Sequence, residues 1–328
     1  MRVSAPCRAD LAGGTLDIWP IGLLHPGAVT VNMALKVEVE LEADLGGDAG
    51  SVSHTSPRGE RRRLELADAA RDLTAAVAFA LVPDGGVRVR VAKQAPYRSG
   101  LGGSSTYGVA LARAIAGCLD RVPDDADLVA LVRDLEATVL GVPTGVQDHW
   151  AAVRGGVLAV HPAPGGARVE RLDVDHDRLA ERATVYFTGI RHRSGMVNWA
   201  VIRRRLDGDP EVVSAFDDIA AAAGDCRASL LAADDDAVAA AVRREWSARR
   251  RLAPEVAPPE LDRVIDAATA AGASAVKACG AGGGGSLFIW HPPGIRDDVV
   301  RRLDSVADGG RVLATGASRL GCRVTSGS

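Results

Sequence analysis

The chain has 328 residues, of which 47% are hydrophobic and 25% are charged, and its net charge is −3. This composition is typical of a globular protein long enough for two domains, and it leaves no basic excess that would bind nucleic acid or an anionic membrane. The sequence also contains no apolar run long enough to span a bilayer and no N-terminal signal core, which predicts a cytoplasmic protein that does not contact membranes.

The five cysteines are Cys7, Cys118, Cys226, Cys279 and Cys322. They lie far apart, their number is odd, and none forms a CxxC pair, so the sequence argues against a disulfide framework and against a structural zinc site. Small buried side chains in a reducing compartment are the expected role of all five.

Hydrophobic periodicity predicts alternating strands and helices in the first half of the chain. We expect an exposed polar loop at SVSHTSPRGERRR and a turn-rich boundary near residues 161–180, which divides the chain into domains 1–170 and 171–328. Strands are predicted at 29–40, 87–91 and 155–160, and helices at 72–81, 104–118 and 124–140.

The second half mixes alanine-rich helices with short strands that can pair locally, which favours an α+β class. Strands are predicted at 183–188, 275–278, 286–290, 311–314 and 322–325, and helices at 211–233, 235–250, 259–272 and 297–306.

The loop PYRSGLGGSST, residues 96–106, follows a predicted strand and opens a helix. A helix N-terminus offers unpaired N–H groups and a positive partial charge, and glycine lets the backbone approach a phosphate closely. The loop lacks the lysine of a Walker A motif and has Ser105 where the dinucleotide-binding pattern needs a third glycine. It is therefore predicted to bind phosphate in another way, with a tight strand–helix connection as the alternative.

Three further clusters are candidate functional segments. Glu136 and Asp148 flank a Gly/Pro turn, and two such carboxylates suit one metal ligand and one proton acceptor; Glu136 is predicted to face outward from its helix. Near the N-terminus, Arg8 precedes an AGGTLD turn that could orient a polyol, although an ordinary β-turn is the alternative. The stretch KACGAGGGG, 277–285, is predicted to pack against the ligand or the first glycine loop, or to be a flexible connection.

Taken in this order, the four clusters resemble the GHMP kinase family over residues 5–290. The central loop is similar to its Pro-x3-Gly-Leu-Gly/Ser-Ser-Ser-Ala motif, with Thr106 in place of the usual alanine. ADLAGGTLDIWPIG and GVPTGVQDHWAAVRGG are similar to segments of the heptose 7-phosphate kinases, with His149 where glutamine is common. The resemblance implies a ribosomal-S5-like N-terminal domain, a ferredoxin-like C-terminal domain, and a site between them.

The resemblance also implies an ATP- and Mg²⁺-dependent sugar kinase that phosphorylates an anomeric hydroxyl, with a heptose 7-phosphate or related higher sugar phosphate as substrate. Other anomeric sugar kinases and a non-catalytic sugar and ATP sensor remain alternatives, and we expect a monomer or homodimer. Asp148 is implied as the catalytic base beside Arg8, and Ser105 and Glu136 as magnesium ligands. The implied ATP-binding residues are Pro96, Gly100, Leu101, Gly102, Gly103, Ser104, Ser105, Thr106, Gly282 and Gly283, and the implied substrate-binding residues are Asp17, Gly14, Thr15, Gly145, Arg193 and Ser194.

Overall fold

The computed structural model describes residues 1–190 and 194–325, and the strands in these ranges form two sheets. The strands are β1 (Arg2–Ala12), β2 (Thr30–Asp44), β3 (Ser51–Thr55), β4 (Arg61–Glu65), β5 (Val87–Lys93), β6 (Val157–Ala163), β7 (Gly166–Arg171), β8 (Ala183–Phe187), β9 (Ala275–Ala278), β10 (Ser286–Trp290), β11 (Arg311–Thr315) and β12 (Arg323–Thr325). The first sheet runs β12-β1-β2-β5-β3-β4, and β6 pairs with β2 and β7; the second runs β11-β8-β10-β9.

The helices of the described residues cover these sheets. They are α1 (Leu73–Leu81), α2 (Gly103–Cys118), α3 (Asp125–Leu140), α4 (Gln147–Arg154), α5 (His176–Arg182), α6 (Ser194–Leu206), α7 (Pro210–Leu231), α8 (Asp235–Arg250), α9 (Pro259–Ala270) and α10 (Arg296–Asp304). The prediction of an α+β chain is therefore confirmed. In the described ranges, no helix combines the length and the apolar character needed to cross a bilayer.

Helix α2 is the centre of the first core, because it packs on β1 and β2 and is flanked by α1, α3 and α4. Its run of alanine and glycine allows this close approach, and 11 of its 16 residues are buried. Helix α3 begins where Asp124 Oδ1 accepts the N–H of Asp127 at 2.8 Å, and it ends at Gly141 in the left-handed conformation. Both termini agree with the predicted helix.

Two stretches predicted to be irregular are ordered. The prediction that the polar segment 51–63 is an exposed loop is wrong, because β3 and β4 pair there as an antiparallel hairpin at the edge of the first sheet. The side chains of Val52, His54 and Leu64 are directed inward. Likewise, 161–180 contains β7 and α5 rather than loop alone. Short polar strands at a sheet edge lack the apolar run that marks a buried strand, so periodicity did not reveal them.

The predicted domain boundary at 170/171 falls inside β7, between its last two residues, Glu170 and Arg171. The second sheet begins at β8, after that point, although β12 returns to pair with β1 at Arg2–Ser4. Strand β1 and helices α4 and α6 carry site residues and were not predicted as elements.

Candidate active site

A cleft of about 610 Å³ collects residues from the four clusters that the sequence singled out. It is bounded by the N-terminal strand and turn, the first glycine loop, the end of α3 and the start of α4, and Gly280 of the second glycine loop. Among the predicted site residues, the cleft is lined by Arg8, Gly14, Thr15, Asp17, Pro96, Gly100, Leu101, Gly102, Gly103, Ser104, Ser105, Glu136, Gly145 and Asp148.

The first glycine loop presents backbone N–H groups at the start of α2. Gly100 and Gly102 have φ of +74° and +72°, a conformation that favours glycine. Gly102 is the N-cap of α2, and no side chain from the described residues caps the helix there. The first-turn N–H groups are therefore available to a bound anion.

Thr106, which was predicted to bind ATP, is not among the residues that line this cleft. Thr106 is fully buried in the first turn of α2, two residues after the exposed Ser104. The alanine that is usual at this position of the motif would also suit a buried site. The hydroxyl of Thr106 lies beside the thiol of Cys7 and not in the cleft.

Asp148 lies directly against the loop. A Cβ on Gly102 would come within 2.7 Å of the Asp148 carboxyl carbon, so only glycine leaves room for this contact. Arg8 Nε and Nη2 each lie 2.6 Å from Asp148 Oδ1, and Arg8 Nη1 donates to the carbonyl of Gly100 at 2.6 Å. Within the described ranges, Asp148 Oδ2 accepts no hydrogen bond, so it is free to take a proton.

Strand β1 brings Arg8 to this point. The pairing of β1 with β2 shifts register between Pro6 and Arg8, and the Arg8 N–H donates to the carbonyl of Leu101 at 3.1 Å instead. Burial disfavours the charged form of Arg8, but the carboxylates of Asp148 and Asp10 outweigh it and raise the Arg8 pKa. The guanidinium therefore remains a fixed positive charge beside Asp148.

Glu136 is buried, with 3% of its surface exposed, so the prediction that it faces outward is wrong. Glu136 lies one turn after Val132 on the same buried face of α3, and α3 packs against α2 and α4. Glu136 Oε2 accepts the Ser105 hydroxyl at 2.7 Å and lies 3.2 Å from His149 Nε2. Burial alone would raise the Glu136 pKa, but hydrogen bonding and charge from His149, with the hydroxyls of Ser105 and Ser104, lower it.

This pair of oxygen donors fits a magnesium ion. Mg²⁺ binds oxygen and is usually held by one or two carboxylates together with substrate phosphates, rather than by a full set of protein ligands. The described residues contain no cluster of three or more His, Cys, Asp or Glu side chains that could hold a metal ion. Glu136 and Ser105 supply one ionised and one neutral oxygen.

Asp17 fixes the start of α4, the helix that carries Asp148. Its Oδ2 accepts the N–H groups of Val146 at 2.8 Å and Gln147 at 3.0 Å. A Cβ on Gly145 would lie 2.0 Å from the same oxygen, which requires glycine there. Burial, together with the charge of Asp148, raises the Asp17 pKa despite these amide hydrogen bonds. Asp17 lines the cleft, and its second oxygen, Oδ1, also accepts a hydrogen bond from Gln147 Nε2 at 3.3 Å.

The second glycine loop packs against the first, as one alternative predicted. A Cβ on Gly100 would lie 2.6 Å from the Cys279 carbonyl oxygen, and the Ser286 N–H donates to the Ser99 carbonyl at 2.9 Å. Gly282 and Gly283, predicted to bind ATP, do not line the cleft: they pack on Val256, whose carbonyl accepts the Gly283 N–H at 2.7 Å. Gly280 and Ala281 line it in their place.

The remaining predicted substrate residues are not assigned by the structure. Arg193 lies outside the described residues, as do Arg191 and His192, and the side chain of Ser194 at the start of α6 is not described. Asn198 on α6 and Gln147 on α4 line the cleft and were not predicted. Their helices were not predicted either, and an amide side chain in an unassigned segment gives no signal of its own.

Two family models match the chain. The GHMP kinases N terminal domain matches residues 66–156, and the GHMP kinases C terminal model matches residues 226–308, so together they cover just over half of the chain.

The individual relatives named here share about a quarter of their residues with this chain. The D-glycero-alpha-D-manno-heptose 7-phosphate kinase of Campylobacter jejuni is 24% identical over 92% of this chain and 93% of its own length. The bifunctional fucokinase/GDP-fucose pyrophosphorylase of Arabidopsis thaliana is 25% identical over 94% of this chain, which spans only 31% of that protein. A crystal structure of a D-glycero-D-manno-heptose 1-phosphate kinase from Bacteriodes thetaiotaomicron superposes with a TM-score of 0.77 at 23% identity, covering 99% of both chains.

Proposed function

The chain belongs to the GHMP kinase family, and on this premise we propose that it is an ATP-dependent sugar kinase that phosphorylates an anomeric hydroxyl. The observation that carries the proposal is the position of Asp148. Its carboxylate lies against Gly102 at the start of α2, one oxygen is held by Arg8, and the other is free among the described residues. A proton acceptor thus lies beside a set of N–H groups suited to phosphate.

Asp148 is proposed to take the proton of the attacking hydroxyl through Oδ2. An anomeric hydroxyl is more acidic than an ordinary alcohol, so a carboxylate can serve as its base. Arg8 keeps a positive charge at the point where the hydroxyl oxygen gains negative charge, and its bond to the Gly100 carbonyl fixes the pair relative to the nucleotide loop. Phosphoryl transfer depends mainly on such positioning and charge neutralisation.

The ATP phosphates are proposed to bind the first-turn N–H groups of α2, the backbone of Gly100–Gly103 and the Ser104 hydroxyl. Ser105 and Glu136 would hold Mg²⁺, which when bound offsets the negative charge of the phosphates. The low pKa of Glu136 keeps its carboxylate ionised for this task. Gly280 and Ala281 close the same side of the cleft.

A heptose 7-phosphate or a related higher sugar phosphate is the proposed acceptor, bound by the Gly14–Thr15 turn, Asp17 and Gly145, with Arg193 and Ser194 as candidates for its phosphate. The heptose kinases among the relatives support this choice because they match almost the whole chain. The fucokinase match supports the alternative, an anomeric kinase for an unphosphorylated sugar. The free carboxylate of Asp148 argues against a non-catalytic sensor.

An acceptor panel tests the proposal. Purified protein is assayed with ATP and Mg²⁺ against heptose 7-phosphate, the same heptose without its phosphate, galactose, L-fucose, arabinose and N-acetylhexosamines, and ³¹P NMR locates the new phosphate. We expect the highest kcat/KM for heptose 7-phosphate and a C1 phosphate in the product. A faster reaction with an unphosphorylated sugar would select the alternative, and a protein that binds ATP but phosphorylates nothing would overturn the proposal.

A further inference from the structure

Behind the Gly14–Thr15 turn lies a cluster of four charged side chains, the buried tetrad: Asp10, Glu245, Arg249 and Lys277. All four are at most 1% exposed. Lys277 Nζ lies 2.5 Å from Asp10 Oδ1 and 3.0 Å from Glu245 Oε2. Arg249 donates to Glu245 Oε1 through Nε at 2.9 Å and Nη2 at 2.5 Å. Two acids and two bases therefore alternate along one chain of contacts from β1 through β9 to α8.

The tetrad ends on the backbone of the turn. Arg249 Nη2 donates to the Gly14 carbonyl at 2.8 Å, and Nη1 lies 3.4 Å from the Thr15 hydroxyl. There is no spare room: a Cβ on Gly14 would come within 2.3 Å of Asp10 Oδ2 and 3.2 Å of Arg249 Nη2. The Arg249 side chain thus packs directly against Gly14 and is hydrogen-bonded to its carbonyl.

The turn needs such support because its backbone is strained. Thr15 has φ of +76°, and a β-branched residue is a true outlier in this left-handed region. Such a conformation persists only where the surrounding contacts fix it, and these conformations cluster at functional sites. Thr15 also lines the cleft, so the strained residue lies at the surface of the proposed acceptor site.

Stability alone does not explain the tetrad. Removing four charges from water is costly, and apolar side chains of similar volume often stabilise a core as well or better. Nor does the tetrad act on the substrate directly, because none of its four members lines the cleft. Its contact with the cleft runs through Gly14 and Thr15.

We propose that Arg249, held in place by Glu245 and Lys277, is a positioning residue that sets the Gly14–Thr15 turn for the acceptor sugar. Helix α8 and strand β9 thereby determine acceptor affinity although none of the tetrad residues that they carry touches the acceptor. This inference rests on the proposed function, since it takes the turn to be part of the acceptor site.

The variant Arg249→Lys separates charge from position. Lysine keeps a positive charge beside Glu245, but one ammonium group cannot span Glu245, the Gly14 carbonyl and Thr15 as the guanidinium fork does. The acceptor KM is expected to rise about tenfold, the equivalent of one lost hydrogen bond. The KM for ATP and the kcat stay within about twofold, because the interaction lost is one of acceptor binding.

The matched control is Arg250→Lys. Arg250 is the next residue on α8 and is half exposed, and it pairs with Asp262 at 2.8 Å and 2.9 Å, away from the turn. Neither KM should change in this variant. An Arg249→Lys enzyme whose acceptor KM stays within twofold of wild type, whose two KM values rise together, or which loses only kcat would overturn the inference. Those results describe a tetrad that supports the fold and nothing more.

Two further measurements keep the test decisive. If Arg249→Lys does not fold, Glu245→Gln, which keeps a hydrogen bond to Arg249 but removes the charge, is expected to show the same rise in acceptor KM. If the wild-type enzyme phosphorylates no sugar, the proposed function fails, and amide hydrogen exchange over residues 11–18 then decides the inference. Faster exchange in Arg249→Lys than in Arg250→Lys supports it, and equal exchange overturns it.

Discussion

Arg8 and Asp10 lie two residues apart on strand β1, and each anchors an ion pair, yet the two pairs differ in every other respect. The Arg8–Asp148 pair opens on the cleft, where the Asp148 side chain is 19% exposed. The Asp10–Lys277 pair is closed, with both side chains at 0%. One strand thus supplies a charge for the chemistry and a charge for the core.

The difference lies in what each carboxylate has left over. Asp148 gives one oxygen to Arg8 and keeps the other free within the described part of the chain. Asp10 is enclosed by Lys277, Arg249 and Arg8, whose charges overcome burial and lower the Asp10 pKa. Substitution at the open pair should therefore abolish turnover and leave the fold intact, whereas substitution at the closed pair should destabilise the fold.

The largest effect is expected from Asp148→Asn at the open pair. Asparagine fills the same space beside Gly102 but cannot accept the acceptor proton, so kcat should fall by about 10²–10⁴-fold. The dissociation constant of ATP, measured by calorimetry, and the unfolding midpoint should stay near those of wild type. The control Asp298→Asn, at an exposed position of helix α10, should change neither kcat, nor the dissociation constant of ATP, nor the unfolding midpoint. An Asp148→Asn enzyme that keeps more than a tenth of wild-type turnover would remove Asp148 from the mechanism.

At the closed pair, we expect the substitution Lys277→Met to lower the free energy of unfolding, whereas Asp148→Asn lowers kcat. The variant leaves Asp10 and Glu245 buried without their shared cation, and loss of one partner from a buried pair costs about 3–5 kcal/mol of unfolding free energy. Urea unfolding measures this loss. The control Lys93→Met removes an exposed lysine that pairs with Glu40, and it should leave the unfolding midpoint unchanged. Equal midpoints for the two variants would show that the tetrad does not contribute to the fold as described.

The open pair and its surroundings were largely predictable from sequence. Glycines between a strand and a helix predict the loop at 96–106, because few other functions need so much bare backbone. Glu136 was placed in the right helix but on the wrong face. The buried residues of α3 are Leu128, Val129, Val132 and Glu136, so Glu136 lies beside the leucine stripe on a single buried face. In a sequence, a carboxylate at the edge of such a stripe is indistinguishable from a solvated one.

The closed pair could not be predicted. Asp10 and Lys277 are 267 positions apart in the chain, and each sits in a strand where a lone charge is indistinguishable from a solvated one. Their meeting depends on how the two sheets are brought together, which no local pattern encodes. The role of Arg249 was hidden for the same reason, since the run Arg249–Arg251 suggests a solvated helix face and only its first member is buried.

The smallest effect is expected at Asp17. This carboxylate shares one property with each pair, because it is buried like the closed pair and borders the cleft like the open pair. Because burial raises the Asp17 pKa in the folded state, ionising Asp17 costs more there than in the unfolded chain. Its contribution to stability is therefore complete below the unfolded pKa and is lost as pH rises through the higher folded pKa. Asp17→Asn has no such loss, and its oxygen can still accept the Val146 and Gln147 N–H groups.

The thermal midpoint of Asp17→Asn relative to wild type should thus increase from pH 4 to pH 7. Because the charge of Asp148 is one cause of the raised pKa, the increase should shrink when the same comparison is made in the Asp148→Asn background. A difference that is independent of pH, or that is the same in both backgrounds, would contradict this electrostatic coupling between the helix cap and the proposed base.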